Sequence, residues 1–121
     1  MAGNAYVSEH NAARILQVDP YTGDTVVISE GDIPSANGLA FSPDYKFLFT
    51  GGFNGIGIVW RFPVADDWTI GAGEPWSIKV GTGYLDGVGV DACGNVYVTD
   101  YNATAIYRLP PDGQSAVKIA Q

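Results

Sequence analysis

Two dipeptides carry residue types suited to metal chemistry. Asn37-Gly38 and Asp86-Gly87 each open a short apolar run, Leu39-Ala40-Phe41 and Val88-Gly89-Val90. An Asn carbonyl and an Asp carboxylate are hard oxygen donors, the type that calcium and magnesium take. The glycine that follows lets another backbone come close. Both dipeptides are equally ordinary turn formers, so residue type alone leaves the two readings side by side.

A second set lies in three similar loops: Glu9-His10-Asn11, Gly51-Gly52-Phe53-Asn54 and Asp100-Tyr101-Asn102. His10 is the single histidine. Imidazole titrates near neutrality and could relay a proton, although a loop histidine is more often solvated and idle. Glu9, His10, Asp100 and Tyr101 are the loop-face candidates. Asp100 and Asn102 also have short side chains that bond to nearby backbone. Asp44 and Asp91 sit at turns, and Asp66-Asp67 reads as a solvated loop. The chain has no Gly-x-Ser-x-Gly elbow, phosphate loop or His-x-x-x-His pair.

Composition narrows the partners. Six Lys and Arg stand against 13 Asp and Glu, a formal charge of −7. The basic residues are scattered, whereas a phosphate backbone or an anionic bilayer surface needs clustered cations. Nucleic acid and membrane are therefore not expected partners. No run approaches the ~20 apolar residues of a membrane helix, and no signal peptide is visible. Cys93 is the single cysteine, which excludes an intrachain disulfide and a cysteine-based zinc site.

These residues need strands to position them, and the chain supplies the strands as repeats. The segment Ala5 to Pro20 returns without a gap as Val96 to Pro111, with Tyr97 91 positions after Tyr6. A looser middle copy starts at Phe47-Leu48-Phe49-Thr50 and continues through Val59-Trp60-Arg61-Phe62-Pro63. Two periods of about 45 residues match a four-stranded propeller blade. The middle blade is expected to place strand A at Gly38 to Phe41, B at Lys46 to Thr50, C at Ile58 to Phe62 and D at Trp76 to Val80. In the last blade the corresponding strands are Gly87 to Val90, Asn95 to Thr99, Ala105 to Leu109 and Ala116 to Ile119. In the first, B is Ala5 to Ser8, C Arg14 to Val18 and D Thr25 to Ser29, with strand A absent. The stretch from Pro63 to Pro75 reads as an insertion between C and D. Trp60, Trp68, Trp76, Tyr6, Tyr97 and Phe49 are expected to pack between blades.

The expectation is an all-β, partial β-propeller of about three blades, half of a six-bladed one, within a single domain over 1–121. Blade 1 covers about 4–33, blade 2 about 34–82 and blade 3 about 83–121. Strand A lines the axis of such a fold, so Asn37 and Asp86 enter it near the tunnel mouth. The B–C loops open on the same side.

The run Ser35-Ala36-Asn37-Gly38-Leu39-Ala40-Phe41-Ser42-Pro43-Asp44 resembles a segment of the SMP-30/gluconolactonase-like propellers. So do Leu85 to Val98 and the strand and turn Arg14 to Gly23. Asp86 to Leu109 is also similar to an NHL repeat, and a non-catalytic NHL-like propeller that binds a protein or peptide over its loop face is the rival reading. The Asn-Gly followed one blade later by Asp-Gly favours the first family. That resemblance implies a divalent cation, calcium with magnesium or zinc as alternatives, held in part by Asn37 and Asp86. It also implies lactone or ester hydrolysis, with Asp86 assisting as acid or base. The family's glutamate and second asparagine have no counterpart here.

Three blades cannot close a ring, and open faces invite pairing. A homodimer closing a six-bladed ring is the expected assembly. An assembly-only half-propeller is the remaining reading, because fold alone confers no function. The chain opens inside a repeat, which leaves room for a preceding segment and makes a missing signal peptide uninformative about compartment.

Overall fold

The computed structural model describes residues 3–53 and 55–121. Met1, Ala2 and the loop residue Asn54 lie outside the described residues. Among the described residues, eleven strands form three antiparallel sheets. Blade 1 contains β1 (Ala5–Glu9), β2 (Arg14–Val18) and β3 (Thr25–Glu30), in that order across the sheet. Blade 2 contains β4 (Leu39–Phe41), β5 (Phe47–Thr50), β6 (Val59–Pro63) and β7 (Glu74–Ser77). Blade 3 contains β8 (Leu85–Val90), β9 (Val96–Asp100), β10 (Ala105–Leu109) and β11 (Val117–Ala120). The protein is thus a partial propeller of three blades, the first of which has three strands among the described residues. A 3-10 turn at His10–Ala12 joins β1 to β2. Among the described residues no helix is long and apolar enough to cross a membrane.

Period-two alternation makes each blade apolar on both faces, and this lets blades stack. One core lies between blades 1 and 2, built on Ile15, Ile33, Leu48, Phe62 and Val64. The other lies between blades 2 and 3, built on Phe49, Val59, Val80, Leu85, Val96, Val98 and Leu109. Trp76 packs against Phe49 with the rings tilted by 55° and their centroids 4.8 Å apart. Tyr6 meets Phe41 edge-on at 4.9 Å. Tyr97 departs from the expected inter-blade packing. It lies on the outer face of blade 3, where its hydroxyl donates to Asp91 at 3.0 Å.

Short polar turns close the hairpins. Asp91 accepts from the amides of Cys93 and Asn95 and from the Asn95 side chain, each at 2.9 Å. Those bonds, led by the one from the Asn95 side chain, hold its carboxyl below the ordinary value. Asp44 does the same for the β4–β5 turn, accepting from the Ser42 hydroxyl at 2.7 Å and the Lys46 amide at 3.0 Å.

The middle blade departs from the expected register in two places. Leu39 pairs with Thr50, but its counterpart Val88 pairs with Val98 rather than Thr99. The β4–β5 hairpin is one residue longer than the β8–β9 hairpin, so Leu48, not Phe47, matches Val96. Strand D of blade 2 also ends early, at Ser77 instead of Val80. Lys79 turns left-handed (φ 62°), and Val80 donates to Gly57 at 2.9 Å, which carries the chain off the sheet edge. Pro75 is tolerated because β7 is an edge strand. The insertion after β6 is a small hairpin bridged at Val64–Ile70. It lays Trp68 over Phe41 and Tyr45 at 5.8 and 5.4 Å. Asp66 pairs with Lys46 at 2.6 Å, and Asp67 caps the amide of Thr69 at 3.0 Å.

Candidate functional site

The inner strands β4 and β8 lie side by side, and their N-terminal ends carry Asn37 and Asp86. The amide of Gly38 donates to the carbonyl of Asp86 at 2.7 Å, while Asn37 donates its own amide to Gly51 at 2.9 Å. A Cβ at position 38 would sit 2.4 Å from the Val88 nitrogen and 2.7 Å from the Asp86 oxygen. Only glycine lets the two backbones meet there. Gly52 repeats the device one loop away, where a Cβ would lie 2.5 Å from the Pro34 carbonyl oxygen. Both Asn37 and Asp86 are half-buried. Among the described residues the Asp86 carboxylate has no hydrogen bond or ion pair.

His10 reaches the same place from blade 1. Its Nδ1 lies 3.5 Å from Asn37 Nδ2. An amide nitrogen only donates, so in this arrangement Nδ1 accepts and the ring proton sits on Nε2. The imidazole meets Phe53 edge-on at 5.0 Å, and Phe53 stacks on Tyr101 at 6.2 Å and contacts Tyr84 at 5.4 Å. His10, Phe53 and Tyr101 are the equivalent loop positions of the three blades. One planar ring per blade therefore forms a row around the mouth. Tyr101 ends it with 70% of its surface exposed.

The other two loop candidates serve the scaffold. Asp100 is only 1% exposed. Its carboxylate accepts from the Thr82 amide, from the Thr82 hydroxyl at 2.8 Å and from the Ala103 amide at 3.0 Å. Burial opposes its ionisation, but these bonds outweigh it and hold the carboxyl below its ordinary value. Glu9 Oε2 lies 2.6 Å from Arg14 Nε. The N–H is misaligned, and neither atom completes a hydrogen bond. Tyr84 belongs to the row of rings, and the repeat gave no sign of it because it precedes β8 without a matching aromatic before β4.

The donor chemistry suits a hard divalent cation, but among the described residues only Asn37 and Asp86 bring such side chains to the open ends of the inner strands. Calcium takes six to eight oxygens. Among the described residues no three His, Cys, Asp or Glu side chains gather as ligands. Zinc fits less well, since Cys93 is exposed on the β8–β9 hairpin at the opposite end of the blade from Asp86. On that opposite side a cleft of about 290 Å³ opens between Phe47, Phe49, Arg61, Cys93 and Pro111. Ligand pockets usually run from roughly 300 to 1,000 Å³.

Comparison with known proteins agrees with this architecture. A 6-deoxy-6-sulfogluconolactonase of Pseudomonas putida is 26% identical over 113 residues, which is 88% of this chain and 36% of that protein. A gluconolactonase of Xanthomonas campestris superposes with a TM-score of 0.73 at 22% identity, covering 94% of this chain and 36% of the other. A calcium-binding regucalcin of Agrobacterium tumefaciens superposes with a TM-score of 0.78, also at 22% identity, covering 96% and 41%. The chain spans little more than a third of the curated relative that it matches. The family model described as SMP-30/Gluconolactonase/LRE-like region matches residues 2–120, and the chain belongs to that family.

Proposed function

We propose that this chain carries part of the site of a divalent-cation-dependent lactone or ester hydrolase. The observation that supports the reading most is the junction of β4 and β8. The Gly38–Asp86 backbone bond there sets Asn37 and Asp86 at the same height on neighbouring inner strands. Asn37 Oδ1 and the Asp86 carboxylate would hold the cation, calcium or magnesium on donor type. When bound, the cation would polarise a carbonyl and acidify a water. Asp86 would accept the proton of the attacking water, and His10 would keep the Asn37 amide turned through its Nδ1 contact. The lactonases and the calcium-binding protein among the relatives support the same reading.

Calcium and magnesium titration by calorimetry, paired with a pH-indicator assay on simple lactones, tests it. Saturable binding that disappears in Asp86→Ala and weakens in Asn37→Ala is expected. Absence of binding by the unmodified chain in its assembled form would overturn the proposal.

A second reading has one observation in its favour. The row His10–Phe53–Tyr101, whose end at Tyr101 is exposed, could capture a peptide on the loop face. It is favoured if Tyr101→Ala abolishes capture while Asn37→Ala leaves it intact.

A further inference from the structure

Backbone bonds hold the rings at the mouth in place. Phe53 pairs with Tyr84 as an isolated antiparallel bridge. Gly55 donates its amide to the Gly83 carbonyl and Leu85 donates to Gly52, each at 3.2 Å, while Tyr101 donates to Tyr84 at 2.9 Å. These bonds tie the B–C loops of blades 2 and 3 to the segment that enters β8. A ligand that stacks on rings fixed in this way orders little new structure.

The row reaches both candidate cation donors. At one end the His10 imidazole lies 3.5 Å from the Asn37 amide and 5.0 Å, centre to centre, from Phe53. On the other side, Tyr84 precedes Asp86 by two residues. Alternation puts Tyr84 and Asp86 on one side of the extended chain, about 7 Å apart, with buried Leu85 on the opposite side. Tyr84 keeps 42% of its surface exposed at this junction between blades 2 and 3. Phe53 lies between Tyr84 and Tyr101, with centroids 5.4 and 6.2 Å away.

Polar side chains beside the rings are spent on the scaffold. Thr82 donates its hydroxyl to Asp100 at 2.8 Å, Asn102 donates to Thr82 at 3.4 Å, and Thr104 donates to the Ala103 carbonyl at 2.7 Å. No Lys or Arg occurs at residues 10–13, 31–38, 51–58, 81–84 or 101–104, the loops of this face. Arg14 is paired with Glu9 at 2.6 Å, and Lys79 lines a separate groove with Trp76 and Gly113. The loops thus offer flat apolar surface, with no cation to draw an anionic substituent and with the neighbouring threonines and Asn102 already engaged.

We propose that Phe53, Tyr84 and Tyr101 form the specificity shelf of the site, stacking the non-reacting part of the substrate, and that this part is a planar, apolar aryl group on the lactone or ester. The inference rests on the cation reading of Asn37 and Asp86, which would place the reacting carbonyl beside the donors while the aryl group lies on the rings. Each ring-on-ring contact is worth about 2- to 10-fold in binding.

Proton NMR titration of the 121-residue chain in the presence of calcium tests the shelf. The probes are lactams, which resemble lactones but resist hydrolysis: a phenyl-substituted pyrrolidinone, unsubstituted pyrrolidinone and gluconolactam. The phenyl compound should bind about 10-fold more tightly than the unsubstituted one, with its phenyl protons shifted upfield by the rings. Tyr101→Ala and Tyr84→Ala should each remove about 2- to 10-fold of that preference, and Tyr101→Phe should retain it. Tyr101 is 70% exposed, so the fold survives its loss. Equal binding of the two pyrrolidinones, a preference that survives both alanine variants, or a preference for gluconolactam would overturn the shelf. A proline-rich decapeptide that binds through the same rings more tightly than the phenyl probe would also overturn it and assign the row to a peptide. Calcium binding without a phenyl preference removes the shelf and leaves the cation reading. A Tyr101-dependent phenyl preference without calcium binding removes the cation reading and leaves the shelf.

Discussion

Gly38 donates its backbone N–H to the carbonyl of Asp86 at 2.7 Å, and no Cβ fits between them. This bond joins the inner strands of two blades at the level of both candidate cation donors. Gly38→Ala should therefore do two things together. The added methyl meets backbone atoms, which cannot rotate away, so a loss of about 1–3 kcal/mol is expected from overpacking. Chemical denaturation measures that loss. Calcium affinity should fall with it, because separating the strands separates Asn37 from Asp86.

Asp86→Asn and Asn37→Ala should leave stability nearly untouched. Both side chains are half-buried, and neither supports a turn. Surface changes of this kind are usually within about 0.5 kcal/mol. Their effect should appear in cation titration instead, with Asp86→Asn the more severe because it removes the charge. A large fall in melting temperature for either would assign the dipeptides to turn formation and not to ligand binding.

Asp100 is expected to make stability depend on acid. Its folded carboxyl is held below the ordinary value, so the ionised form is favoured by folding. The contribution is fully present above the unfolded value, near pH 4. It is lost as pH falls through the lower folded value. Asp100→Asn should flatten the denaturation midpoint over that interval. It should also cost about 1–3 kcal/mol at neutral pH, because the part-buried bonds from Thr82 and Ala103 lose their carboxylate acceptor.

Leu85 is fully buried between blades 2 and 3, directly before Asp86. Leu85→Ala should cost about 2–5 kcal/mol through lost burial and the cavity left behind. Val27→Ala on the open face of blade 1 should cost much less in a single chain.

The blades were legible in the sequence because alternation and turn chemistry are local. The strand β2 at Arg14–Val18 and β10 at Ala105–Leu109 match expectation residue for residue. Asp44 and Asp91 act at their turns as their residue types imply. Asn37 and Asp86 were likewise visible as the residues that open inner strands. Other features depended on distant parts of the chain. The extra residue in the β4–β5 hairpin shifted the middle copy, because a single-residue change in hairpin length alters which residues pair without disturbing the alternation. Strand β7 stopped at Ser77 because Val80 turned to bond Gly57, a contact between loops of the same blade.

Side-chain destinations at the loop face were also decided in three dimensions. Asp100 and Tyr101 are adjacent in sequence. One turns inward to Thr82 and the other outward onto Phe53. His10 and Asn37 come together only because blade 1 packs on blade 2. By itself the sequence determined the repeating blade, its turns and the residues that open each inner strand, since these follow from spacing and backbone preference. The tertiary structure decided which face of each blade is covered and which carboxylate is spent on the scaffold. It also decided which residues meet at the axis, because those outcomes depend on packing between segments tens of residues apart.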